Sequence, residues 1–183
     1  YIDVLQRQSA RLKKLIDDLL EASKASTGNL TVNAEPCDVG VLLDQTLGEY
    51  GEKLNAAGLE PVLTKPEKPV IIMADGRHMW RIFDNLLNNI CKYSQRGTRV
   101  YLEVCERDGK AVVTFRNISS RQLNISSDEL MERFVRGDSS RNTEGSGLGL
   151  NIAQSLAQLQ KGTMELTVDG DLFKVTLTFD VVK

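Results

Sequence analysis

The sequence predicts an α+β fold: a two-layer α/β sandwich with a mixed sheet, preceded by a long N-terminal helix. Three observations carry that expectation. Residues 1–26 hold a sustained helical period. Extended runs gather into two hairpins, 99–106 with 111–116 around Asp108-Gly109, and 163–168 with 172–179 around Asp169-Gly170-Asp171. The helical runs are segregated from those hairpins, which argues against a doubly wound sheet.

The first helix steps by three and four through Ile2, Leu5, Ser9, Leu12, Ile16, Leu19 and Ser23, a heptad seam with two polar slots. Its outer face carries Arg7, Arg11, Lys13, Lys14, Asp17, Asp18 and Glu21, and Gly28 supplies a stop. A lone helix with such a seam needs a partner, from another chain or from a preceding helix; the plainer alternative is packing on its own domain. Residues 29–37 form a polar connection with one short strand at 30–32. Asp38 caps a second helix over 39–57 that turns Val39, Leu42, Leu43, Leu47, Tyr50 and Leu54 inward and ends at Gly58. Extended runs at 60–65 and 70–73 are separated by Pro66 and Pro69. Asp75 caps a third helix with Ile82, Phe83, Leu86, Leu87 and Ile90 on one face. After the first hairpin, Ser126 and Glu129 make a capping-box pattern that opens a short helix to Phe134. Residues 135–146 read as a polar loop and 148–160 as a helix.

A chain of 183 residues suffices for one core plus an appendage. The formal net charge of -2 provides no basic field that calls for nucleic acid. No apolar run has the length of a transmembrane helix. Cys37, Cys91 and Cys105 are odd in number, far apart and without a histidine cluster, which speaks against zinc or a disulfide framework and fits a reducing cytoplasm. Because Tyr1 already lies inside the helical pattern, the chain is expected to be a piece of a longer protein.

Three segments could carry chemistry. On the third helix, Asn85 and Asn89 share one face, with Lys92 and Tyr93 completing a polar stripe. Three asparagines in five positions lower helix propensity, which points to a task. A carboxamide oxygen can serve magnesium, and a lysine can sit on a phosphate. A merely solvated face is the other reading. Gly145-Ser146-Gly147-Leu148-Gly149 then opens a helix, where bare backbone N–H groups and the helix dipole suit a phosphate. Its G-x-G-x-G spacing, after a polar loop, fits neither a dinucleotide fingerprint nor a Walker loop; alone it could be a flexible turn. Between the two lies Glu132-Arg133-Phe134-Val135-Arg136-Gly137-Asp138, where Phe134 could anchor a loop and Arg136 reach a phosphate, unless it is an ordinary surface helix end.

Together the three segments resemble the ATP-binding domain of sensor histidine kinases, the Bergerat fold shared with gyrase-type ATPases, mismatch-repair proteins and heat-shock chaperones. The resemblance spans about residues 39–179. The segment Arg11-Leu12-Lys13-Lys14-Leu15-Ile16-Asp17-Asp18 also looks like the second helix of that family's dimerisation hairpin. The resemblance implies ATP and magnesium as ligands. Asn89 would hold the ion with Asn85 beside it, Lys92 and Tyr93 would line the nucleotide side, and Arg136 would touch the phosphates. Gly145, Ser146, Gly147, Leu148 and Gly149 would wrap them. It further implies a hairpin segment 1–28, a catalytic domain 29–183, a homodimer through the N-terminal helix, a response regulator as partner, and a cytoplasmic domain whose parent sits in the bacterial plasma membrane.

The chain departs from that pattern in two places, and one further position bears on which branch of the superfamily it resembles. Where the family has Asp-x-Gly-x-Gly, this sequence has Asn117-Ile118-Ser119, so Asn117 would meet the adenine amino group as an uncharged acceptor, with weaker or reorganised recognition. The single histidine, His78, lacks the acid-x-x-x-proline context of a phosphoacceptor and reads as a surface or packing residue, so the acceptor is expected ahead of Tyr1. Asn85 stands where ATPase branches place a glutamate base, which favours phosphoryl transfer over hydrolysis. The rival expectations are a non-enzymatic signalling module that dimerises through its stalk, and a serine/threonine kinase of the anti-sigma type, against which the stalk seam argues.

Overall fold

The structure is a computed structural model, and it describes residues 2–123, 126, 128–129 and 148–182. Its elements are α1 (Ile2–Ser26), β1 (Glu35–Asp38), α2 (Val39–Glu49), α3 (Gly51–Ala56), β2 (Glu60–Thr64), β3 (Ile71–Ala74), α4 (Gly76–Tyr93), β4 (Arg99–Arg107), β5 (Lys110–Ile118), α5 (Gly149–Leu159), β6 (Thr163–Asp169) and β7 (Leu172–Asp180).

The large sheet has the order β2-β4-β5-β7-β6. β2 runs parallel to β4 and the other neighbours are antiparallel, so the sheet is mixed as expected. Asp108 (φ 52°) and Gly109 (φ 73°) close the first hairpin with two left-handed residues, the turn whose twist matches paired strands. Alternation along β4, β5 and β7 sends Val100, Leu102, Val113, Phe115, Val175 and Leu177 to one face. Ile82, Phe83, Leu86 and Leu87 of α4, with Ile152, Ala153 and Leu156 of α5, join the same buried core. Phe83 meets Phe115 at 5.7 Å between ring centroids, tilted by 45°. This is the predicted two-layer sandwich with its long N-terminal helix.

Two local expectations are corrected. Residues 30–32 form no strand; residues 35–38 pair with β3 instead, in a small antiparallel sheet. The backbone of the earlier stretch is already engaged by α4: His78 Nε2 lies 2.9 Å from the Thr31 carbonyl oxygen, and the Asn33 N–H donates to Asp75 at 3.0 Å. The helix expected over 39–57 is two helices that break at Tyr50 (φ -91°, ψ -2°). Gly48 and Gly51 flank the break and weaken helix propensity there. The buried Tyr50 hydroxyl donates to the Asp84 carboxylate and approaches the Asp84 carbonyl at 3.0 Å, which fixes the bend against α4.

Candidate functional site: a cleft at one end of a helix

Helix α4 begins where the chain is tightly tied. Asp75 is its N-cap, accepting the Arg77 N–H at 3.0 Å. Burial works to raise the Asp75 pKa. Hydrogen bonds from the Arg77 side chain and from the Asn33 and Arg77 N–H groups, with His78 nearby, outweigh it and hold the carboxyl well below the usual carboxylate range. The Asp75 N–H donates to Gln160 Oε1 at 2.7 Å, and Gln160 Nε2 donates to the Leu156 carbonyl at 3.3 Å, so the end of α5 is joined to the start of α4.

One turn on, Arg81 gathers three carboxylates. Its Nε donates to Glu21 at 2.9 Å, its Nη2 to Glu21 at 2.8 Å and Asp18 at 2.9 Å, and its Nη1 to Asp84 at 3.0 Å. Burial works to lower the Arg81 pKa, but Glu21, Asp18 and Asp84 raise it overall and keep the guanidinium charged. Asp18 is 6% exposed, so Asp18 and Glu21 do not belong to a solvated outer face of α1. A helical wheel places them opposite the seam and cannot show a docking surface there. Leu5, Leu12, Ile16 and Leu19 of the seam remain exposed.

The far half of α4 is different. Asn85 is buried and donates through Nδ2 to the Arg81 carbonyl at 2.9 Å. Its Oδ1 faces the first residue of α5, where a Cβ on Gly149 would lie 3.1 Å away, so glycine permits this close approach. One turn further, Asn89 lines a narrow, nearly closed crevice with Leu86, Ile90, Phe115, Asn117, Phe173 and Val175, the cleft referred to below. At that cleft Asn117 is 4% exposed. Its Nδ2 donates to Ser94 Oγ at 2.9 Å, and its Oδ1 has no hydrogen-bond partner. Leaving such an acceptor unmet costs about 1–3 kcal/mol. A buried polar atom of this kind needs a partner that the described residues do not supply.

The structure therefore brings Asn89 and Asn117 to one cleft, and Asn85 to Gly149 and the adjoining Leu148. Lys92 and Tyr93 stand on the last turn of α4, Lys92 exposed and Tyr93 half-buried. Arg136, Gly145, Ser146 and Gly147 lie outside the described residues, as do residues 130–134 of the expected short helix and the loop 135–146. The capping contact ahead of them is formed, with the Glu129 N–H donating to Ser126 Oγ at 3.2 Å. Ser94 and the cleft walls Phe173 and Val175 are not singled out by motif; only their register beside Asn117 on β7 and α4 gives them away. Among the described residues, no group of three or more His, Cys, Asp or Glu could hold a metal ion, and no helix is long and apolar enough to cross a membrane.

The family model for histidine kinase-, DNA gyrase B-, and HSP90-like ATPases matches residues 74–183, and the chain belongs to that family. The signal transduction histidine-protein kinase BaeS of Escherichia coli (strain K12) is 30% identical over 184 residues, 92% of this chain and 39% of that protein. The probable sensor protein PcoS of Escherichia coli is 33% identical over 175 residues, 93% and 37% respectively. The chain thus spans well under half the length of these relatives. The Acinetobacter baumannii histidine kinase AdeS has the same fold, with a TM-score of 0.80 at 20% identity, covering 100% of this chain and 84% of that one. Full-length ShkA in complex with AMPPNP also scores 0.80, at 19% identity over 100% of this chain and 38% of that one.

Proposed function

We propose that this chain is the ATP-binding catalytic part of a two-component sensor histidine kinase. It would pass the γ-phosphoryl of ATP to a histidine outside residues 1–183, for relay to a response regulator. The observation that carries this reading is the unpaired Asn117 Oδ1 in the apolar cleft. An exocyclic amino group is the donor that atom lacks, and the apolar walls suit a planar base.

The polar stripe of α4 fits the other end of the nucleotide. The Asn89 side chain makes no hydrogen bond among the described residues, and its carboxamide oxygen would hold magnesium, whose other ligands are waters and phosphates. Magnesium, when bound, neutralises phosphate charge. Asn85 is committed to the Arg81 carbonyl and is no base for water, which supports transfer over hydrolysis. Lys92 and Tyr93 would line the phosphate side. Arg136 and the segment Gly145–Gly149 would complete it, with Ser146 and Gly147 closing over the phosphates.

His78 is engaged at the Thr31 carbonyl, which supports an acceptor elsewhere. The exposed seam of α1, with Leu5 at 63%, Leu12 at 59% and Leu19 at 60%, supports a homodimer through this helix. In this reading residues 1–28 are the second helix of the dimerisation hairpin and 29–183 the catalytic domain, on the cytoplasmic side of a parent in the bacterial plasma membrane.

The test is to incubate the parent-length protein with γ-labelled ATP and magnesium. Acid-labile, base-stable label on the protein is expected. No label, together with no shift in melting temperature on adding nucleotide, would overturn the kinase in favour of a non-enzymatic dimerisation module.

A further inference from the structure

We infer that Asn117 and Ser94 form a two-way reader, so that the cleft accepts purine nucleotides with either an amino or an oxo group at position 6. The inference rests on the nucleotide reading above and sets its substrate class. Asn117 Nδ2 donates to Ser94 Oγ, which leaves Oδ1 as an acceptor in the cleft. A carboxamide and a hydroxyl can exchange these roles. Ser94 Oγ has one O–H to donate and lone pairs to accept. Among the described residues its O–H has no other acceptor. Turning the Asn117 amide by half a rotation puts Oδ1 against Ser94, which then donates. The same turn points the two Nδ2 hydrogens into the cleft. Each arrangement keeps one internal hydrogen bond, so neither is favoured by that bond.

The frame around the pair is fixed while the amide turns. Ser94 is buried at the C-cap of α4, its N–H bonded to the Ile90 carbonyl at 3.0 Å, and it bridges to Ser119 beside Asn117. The apolar walls, Leu86, Ile90, Phe115, Phe173 and Val175, make no choice between bases, and Asn89, the other polar wall, is assigned to magnesium in the nucleotide reading. In one arrangement the site offers an acceptor to a 6-amino group. In the other it offers a donor to a 6-oxo group. A carboxylate at position 117 could do only the first.

The test is calorimetric titration of this chain with ATP and with inosine triphosphate, each with magnesium, for the wild type, Asn117→Asp and Ser94→Ala. The expected wild-type dissociation constants agree within tenfold. Asn117→Asp should widen the gap to thirtyfold or more in favour of ATP. Ser94→Ala should weaken both nucleotides alike and leave their ratio unchanged. Wild-type binding of ATP with more than hundredfold preference would overturn the two-way reader and leave the nucleotide reading standing. A ratio that moves with Ser94→Ala would also overturn it, because Ser94 would then be choosing one arrangement. Binding of neither nucleotide would overturn both.

Discussion

The two halves of α4 differ in where the polar side chains on and beside them find partners, although Asn85 in the second half is tied back to the Arg81 carbonyl. In the first half, Asp75 and Arg81 spend their hydrogen-bonding capacity on the protein itself, on Asn33, Arg77, Asp18, Glu21 and Asp84. Beside the second half, Asn117 keeps a buried acceptor unmet and Asn89 lines the same narrow crevice. The first arrangement holds the linker and α1 to the sandwich. The second lowers stability, and in the proposed reading a nucleotide supplies the missing partner. In the proposed reading one helix carries a structural end and a binding end, about one to two turns apart, and the two can be tested separately.

Arg81→Met should have the largest effect on stability. It keeps the apolar stem and removes the charge that three carboxylates share. Allowing for partial exposure, about 2–4 kcal/mol should be lost, read from the urea midpoint. Hydrogen exchange should rise first in α1, and nucleotide affinity should move less than about threefold. An equal loss of affinity would merge the two halves.

Asp75→Asn comes next, at about 1–2 kcal/mol near neutral pH for a weakened cap and lost ion pair. Its signature is the acid limb. The folded Asp75 carboxyl sits below its unfolded value of about 3.9. Its contribution is therefore whole above that value and is lost as pH falls through the folded one. Wild type should lose stability steeply between roughly pH 5 and pH 2, and Asp75→Asn should show a flatter decline. Identical acid limbs would remove Asp75 from the structural end.

Asn117→Leu should change stability by less than about 1 kcal/mol in either direction, since one weak internal bond and one unmet acceptor vanish together. Nucleotide binding should nevertheless fall tenfold or more. A marked destabilisation would mean that Asn117 belongs with the structural set. Asn89→Ala should be the mildest for folding, within about 0.5 kcal/mol, yet magnesium-dependent nucleotide binding should disappear. Unchanged binding would remove Asn89 from the site.

Legibility in the sequence followed the range of the interactions. The caps Asp38 and Asp75, the Asp108-Gly109 turn and the apolar faces of α4 and the hairpins are local patterns, and each was formed where its residues stand. The asparagine stripe was visible because asparagine is costly inside a helix. Asn117 was visible only through a motif. What escaped were contacts between distant segments. Asp18 and Glu21 look like ordinary surface charges until Arg81, some 60 residues on, is brought beside them. Ser94 is unremarkable until β5 places Asn117 next to it. The strand expected at 30–32 failed for the same reason: a side chain 47 residues away takes the Thr31 carbonyl, and one 42 residues away takes the N–H of the next residue beyond the stretch, Asn33. The break at Tyr50 lies in between, since the two flanking glycines hint at it and a hydroxyl bond to Asp84 fixes it.

The Gln160 bridge has a mechanical consequence. α5 is fastened to the start of α4 at Gln160, while its other end rests against Asn85 only through the bare face of Gly149. Eleven residues separate the two points, a lever about 16 Å long at 1.5 Å per residue. Between those two points Ile152, Ala153 and Leu156 are fully buried, so the helix is held to α4 by a hydrogen bond at one end, a bare backbone contact at the other, and core packing between.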